Sequence, residues 1–193
     1  MPNSPLPVYI TEKLIRRAIA HNNAADGRQH KQSLSGITQL VLKGGITIRG
    51  TIRKLDFGTC TGQLSNLKHL DLSNNEIIHI EHLDQFQGVL TELSLANNRI
   101  SRIKNLQPLR TSLQVLNLNG NNITRIPESI AQLSRLRVLG LAKNKLALLD
   151  DCKRLAPLTA LVQLEVRDNP ATQTLSARDF VTFHLPQLDM LDR

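Results

Sequence analysis

Hydrophobic and polar positions follow one phrase from Leu67 onward, LxxLxLxxNxI. It is spelled by Leu67, Leu70, Leu72, Asn75 and Ile77, and returns as Leu90, Leu93, Leu95, Asn98 and Ile100. Two more copies are Leu113, Leu116, Leu118, Asn121, Ile123 and Leu136, Leu139, Leu141, Asn144, Leu146. A fifth, Leu161, Leu164, Val166, Asn169, Ala171, has a weakened end. The copies start 23, 23, 23 and then 25 residues apart. Each xLxLx stretch predicts a short strand whose two leucines share the buried side, because alternate side chains of a strand face opposite ways. The Asn marks where the chain leaves the strand. Its amide carries donors and an acceptor that satisfy backbone groups otherwise buried without partners, so stacked copies predict an asparagine ladder. A further apolar residue (Ile80, Ile103, Ile126, Leu149) fills the return limb.

No such unit buries its own apolar face, so neighbours must stack. The pattern is that of a leucine-rich repeat. The expected fold is an α/β leucine-rich repeat solenoid: a curved parallel β-sheet on the concave face, irregular or helical convex limbs, an N-terminal capping helix and a C-terminal cap. A degraded copy begins Ile37, Leu40, Leu42, without the Asn, 30 residues before the next. The stretch from Gly44 to Gly62 therefore carries an insertion. Residues 1–33 are read as an N-terminal extension and capping helix, 34–168 as about six repeats and 169–193 as a C-terminal cap.

Both ends of a solenoid expose core unless covered. In YITEKLIRRAIAHNN, residues 9–23, Thr11 is a good N-cap with Glu12 at the positive end of the helix dipole. Ile10 and Ile15 stand as a hydrophobic staple. Leu14, Ile15, Ala18 and Ile19 form an apolar stripe, with Lys13, Arg16 and Arg17 facing away. This helix reads as a lid on the first repeat or as a basic amphipathic helix for a membrane or partner. At the other end, Phe180, Val181, Phe183, Leu185, Leu188 and Leu191 are expected to close the last repeat.

Composition narrows the picture. Apolar residues make up 40 % of the chain, aromatics only 3 %, and there is no Trp, so the core is aliphatic. No apolar run reaches membrane-spanning length, and MPNSPLPVYI has no basic segment followed by an apolar one. Cys60 and Cys152 are isolated, which fits a reducing compartment and a cytoplasmic chain. A formal charge of +8 raises the question of where the cations sit.

No catalytic constellation emerges. Lys43-Gly44-Gly45 and Gly50 lack phosphate-loop spacing, and Asp150-Asp151 reads as a solvated turn pair. His69, His79 and His82 share one repeat, but no Cys or carboxylate completes a metal site, while His21, His30 and His184 stand apart. Neither catalysis, a metal nor a cofactor is expected.

Function then falls to the outward strand positions of the concave face. Its middle, around Val115, Asn117, Val138, Gly140 and Ala142, is small and mildly apolar, suited to a partner's helix or flat surface. Asp71 and Glu92 turn the N-terminal repeats mildly acidic. Without aromatics the face has no platform for stacking bases, so nucleic acid is not the expected partner. Arg99, Arg102, Arg125 and Lys145, with Lys104 and Lys143, follow the Asn positions and line one edge; Arg16, Arg17, Arg49, Arg53 and Lys54 add charge at the N-terminal end. That edge reads as a contact for an acidic cytoskeletal protein such as tubulin or for RNA phosphate, or as a solvated rim.

The repeats with NxIxxIxxL and the ending Leu185-Pro186-Gln187-Leu188, Leu191-Asp192 resemble the SDS-type intracellular leucine-rich repeat family with its C-terminal cap. Asn169-Pro170 also matches the cap, while Ala177-Arg178 stands where the family has Tyr-Arg. Within that family, Tyr9 to Ile15, Ile126-Pro127, Leu136 to Leu139, Leu155 to Leu161 and Phe183-His184-Leu185 are similar to centriolin-type repeat domains and ciliary or basal-body repeat proteins. The resemblance implies a non-catalytic scaffold of a centrosome, basal body, cilium or flagellum. Its alternatives are a nuclear RNA-protein assembly factor of the spliceosomal A-prime type and a phosphatase-1 regulatory repeat protein.

Overall fold

The computed structural model describes residues 10–25, 33–45, 51–60 and 62–192. Tyr9, His30, Arg49 and Gly50, and part of the Gly44–Gly62 insertion, lie outside them. Seven short strands form one sheet in chain order: β1 (Gln39–Val41), β2 (His69–Asp71), β3 (Glu92–Ser94), β4 (Val115–Asn117), β5 (Val138–Gly140), β6 (Gln163–Glu165) and β7 (Met190–Leu191). Every neighbour pairs in parallel, with Leu40, Leu70, Leu93, Leu116, Leu139, Leu164 and Leu191 in one row. The first six leucines of that row are buried, as are the second leucines from Leu42 to Leu141 and Val166. Parallel strands need a crossover, and here it is the return limb, tightened by short 3-10 turns such as Asp84–Phe86, Gln107–Leu109 and Glu128–Gln132.

The asparagine ladder is complete from Asn75 to Asn169. Asn121 shows the pattern. Its Oδ1 accepts the Ile100 N–H at 3.0 Å, and its Nδ2 donates to Leu95 O and Leu118 O, both at 2.9 Å. Asn75, Asn98, Asn144 and Asn169 do the same one repeat apart. The residue before each rung turns through positive φ: Asn74, Asn97, Gly120, Lys143 and Asp168. Four of the five are residue types that tolerate this region.

The ladder also locates the insertion. Asn75 Oδ1 accepts the Ile52 N–H at 2.8 Å, just as Asn98 Oδ1 accepts that of Ile77 at 2.9 Å, so Ile52 holds the position of Ile77. Leu42 and Ile52 are ten residues apart where Leu72 and Ile77 are five apart, so most of the insertion falls between strand and return limb. The limb itself is regular, with Ile52, Leu55, Phe57 and Cys60 all buried and Phe57 packed edge-to-face on Phe86 at 5.1 Å.

Helix α1 (Glu12–Ala25) packs on β1 and buries Ile10, Ile15 and Ala18, which makes it the lid. Thr11 caps it, its Oγ1 accepting the Leu14 N–H at 3.2 Å. At the far end α2 (Ala177–His184) buries Ala177 and Val181, and the chain then adds β7 to the sheet. Asp192, just past β7, accepts the N–H groups of Val166 (2.6 Å) and Arg167 (2.8 Å) at the end of the sheet. Phe183 does not close the last repeat, contrary to expectation; it is 81 % exposed. Buried Ala177, Val181 and Leu185 are spaced by four, and a residue two places from Val181 falls on the opposite side of the helix.

Candidate protein-binding face

Strand register aligns the outward side chains in two rows. One reads Gln39, His69, Glu92, Val115, Val138, Gln163; the other reads Val41, Asp71, Ser94, Asn117, Gly140, Glu165. Over β1 to β4 these rows enclose a concave depression of about 400 Å³, lined among others by Val41, His69, Asp71, Glu92, Val115 and Asn117. Of the expected contact residues, Asp71, Glu92, Val115 and Asn117 line it. Val138 lies beside it, half-buried on β5.

Gly140 and Ala142 are not available to a partner, contrary to expectation. Both are buried, because asparagines of the preceding repeat roof them. Asn119 Oδ1 accepts the Ala142 N–H at 2.8 Å, and its Nδ2 donates to Glu165 Oε2 at 2.6 Å. A Cβ on Gly140 would stand 2.8 Å from Asn119 Oδ1 and 3.0 Å from Asn117 Oδ1. The small residues are small to admit the amides above them, not to admit a ligand. Parallel register held that signal: Asn117 and Gly140 are direct neighbours. The role of Asn119 as roof was legible only once that register was known.

Charges in the depression are held in place. Asp71 Oδ1 accepts the Ser73 N–H at 2.9 Å while Oδ2 meets Lys43 Nζ at 3.2 Å. His69 Nδ1 and Glu92 Oε2 are 2.8 Å apart across the register pair. Among the described residues no three metal-ligating side chains come together; His69 engages Glu92 rather than His79 or His82.

The basic edge is less free than its sequence suggests. Arg99 and Arg53 share Glu76, at 3.3 and 2.7 Å. Arg125 is bound to Asp151 by two hydrogen bonds, Nε at 2.7 Å and Nη2 at 3.0 Å. Asp151 is 3 % exposed, so the Asp150-Asp151 pair is not a solvated turn; only Asp150 is, and Lys153 holds its carboxyl below the usual range by hydrogen bonding. Arg102 and Lys145 remain exposed, together with Lys104. No helix among the described residues is long and apolar enough to cross a membrane.

Leucine rich repeat models match residues 66–88 and 88–146. A leucine-rich repeat protein of Leptospira interrogans is 26 % identical over 73 % of this chain, with a TM-score of 0.60. A chain of the Drosophila melanogaster SNF/U2A′ complex is 29 % identical over 61 %, with a TM-score of 0.56. An internalin of Listeria monocytogenes superposes over 93 % with a TM-score of 0.63, and at 23 % identity it speaks for the fold alone. The chain spans 34 %, 67 % and 55 % of their respective lengths. No curated protein matches the sequence. The matched models are repeat models and indicate no enzyme family. Repeat phrase, register, models and neighbours agree, and the chain is a leucine-rich repeat solenoid.

Proposed function

We propose that this solenoid is a non-catalytic scaffold or adaptor that seats a partner protein in the depression over β1 to β4. The observation that carries the reading is the depression itself. It combines half-exposed Val41 and Val115 with oriented polar groups on a rigid, hydrogen-bonded sheet, the mixture of apolar floor and fixed polar contacts that recognition requires. The exposed cations Arg102, Lys104 and Lys145 give a second contact to an acidic partner, with a cytoskeletal protein as the candidate.

The cellular setting proposed is a centrosome, basal body or cilium, supported by the resemblance of both ends of the chain to repeat proteins of those structures. A nuclear ribonucleoprotein role is the second reading, favoured by the similarity to a chain of the SNF/U2A′ complex. Imaging the tagged protein separates them: centriolar or axonemal signal supports the first, nuclear signal the second. Affinity purification with Val115→Arg, at an outward position of β4, tests the face. Co-purifying partners are expected to be lost while the circular dichroism spectrum is retained. Partners that stay bound overturn the concave-face assignment.

A further inference from the structure

The chain carries 24 Lys and Arg against 16 Asp and Glu, yet its concave strands invert that balance. The outward positions of β1 to β6 include Asp71, Glu92 and Glu165, and no lysine or arginine. Glu165 is engaged by Asn119 and Asp71 by Lys43 and the Ser73 N–H, whereas Glu92, paired with His69, keeps its side chain 48 % exposed against 25 % for Asp71 and is the carboxylate most open to an outside group. His69 Nδ1, 2.8 Å from Glu92 Oε2, fixes the orientation of that carboxylate. Glu92 also sits in register with Val115, which sits in register with Val138. The result is a carboxylate fixed at the end of an aliphatic shelf.

We infer that the depression is specific for a protein segment presenting an Arg or Lys side chain next to an aliphatic one. The cation takes Glu92, with Asp71 one strand over and two residues along, and the aliphatic group covers Val115 and Val138. Covering a carboxylate with a neutral or acidic segment would desolvate it uncompensated, which is strongly unfavourable, whereas a guanidinium restores the lost interaction. The net positive charge elsewhere repels a generally basic partner, so selection rests on one local cation rather than on bulk charge. This inference rests on the concave-face reading above and adds the chemistry of the occupant.

The test uses two synthetic peptides of equal length and leucine content, one with arginines beside the leucines and one with glutamates. Each is titrated into ¹⁵N-labelled protein. The arginine peptide is expected to shift the amides of His69, Glu92 and Val115, and Glu92→Gln is expected to weaken it at least tenfold. Equal or tighter binding of the glutamate peptide at those amides overturns the charge inference, as does absence of binding by both peptides or unchanged affinity for Glu92→Gln. Loss of native partners from Val115→Arg alongside any of these results leaves the concave-face reading standing while this one falls.

Discussion

Arg125 and Asp151, 26 residues apart, are joined by a two-pronged ion pair that ties consecutive return limbs together. The carboxylate is buried and also accepts the Ile126 N–H at 3.1 Å and lies 3.1 Å from Arg154 Nη1. Hydrogen bonding to Asp151 comes first in raising the Arg125 guanidinium further above its ordinary value, followed by simple attraction of the charges. Removing the carboxylate with Asp151→Ala leaves a buried N–H and two cations without their partner. A loss of roughly 3 kcal/mol is expected, read from urea unfolding at constant slope. A loss under about 1 kcal/mol would show that the pair is only decorative.

The asparagine ladder makes a sharper claim than burial does. Asn121→Leu keeps the volume but orphans the Ile100 N–H, while the Leu95 and Leu118 carbonyls each lose one donor and keep the amide of Asn98 or Asn144. A buried group left unpaired costs about 1–3 kcal/mol, so a loss on the order of 2 kcal/mol is expected. Hydrogen exchange should speed up first at the Ile100 amide. Wild-type protection there would contradict the bond.

Lys143 is the exception among the residues that precede the rungs, an ordinary side chain held at φ 55°. Left-handed backbone costs a typical residue roughly 1–2 kcal/mol, and asparagine escapes much of that. Lys143→Asn, which copies Asn74 and Asn97, should raise stability by about 0.5–1 kcal/mol in a thermal melt. Gly120→Ala is the opposite case. Its φ is 68° and its new Cβ would lie 2.2 Å from Asn97 Oδ1, so the melting temperature should fall.

Cys152 and Cys60 are both buried, and burial pushes the Cys152 thiol up to about 12. Neither thiol should react with a disulfide reagent in native protein at pH 8, and both should react once the chain is unfolded. The sign for stability follows from the raised value. The folded state keeps the Cys152 proton above the unfolded thiol's pKa, so stability is lost as pH climbs from about 9 towards 12. Fast labelling of the native chain would contradict this packing.

Most of the architecture is legible in the sequence. Strand positions, the ladder and the apolar stripe through Ile15 and Ala18 follow from local spacing, because a repeat states its own register each time it recurs. Gly140 and Ala142 escape that reading for the converse reason. Outward-facing is a property of one strand, but accessible depends on what the neighbouring strand carries, and Asn117 and Asn119 lie 23 residues earlier. Arg125 and Asp151 are an edge cation and a turn acid when taken singly, and only the stacking of limbs makes them a pair.

What the sequence by itself determined, then, is the solenoid: its period, the residues facing the core and the rungs that satisfy its backbone, since burial and hydrogen bonding at each repeat are decided within about 25 residues. What only the tertiary structure decided is which surface groups remain open. Ion pairs and amide roofs form between repeats, so Glu92 emerges exposed and Val115 half-exposed, Gly140 and Ala142 covered, and Arg125 committed to Asp151.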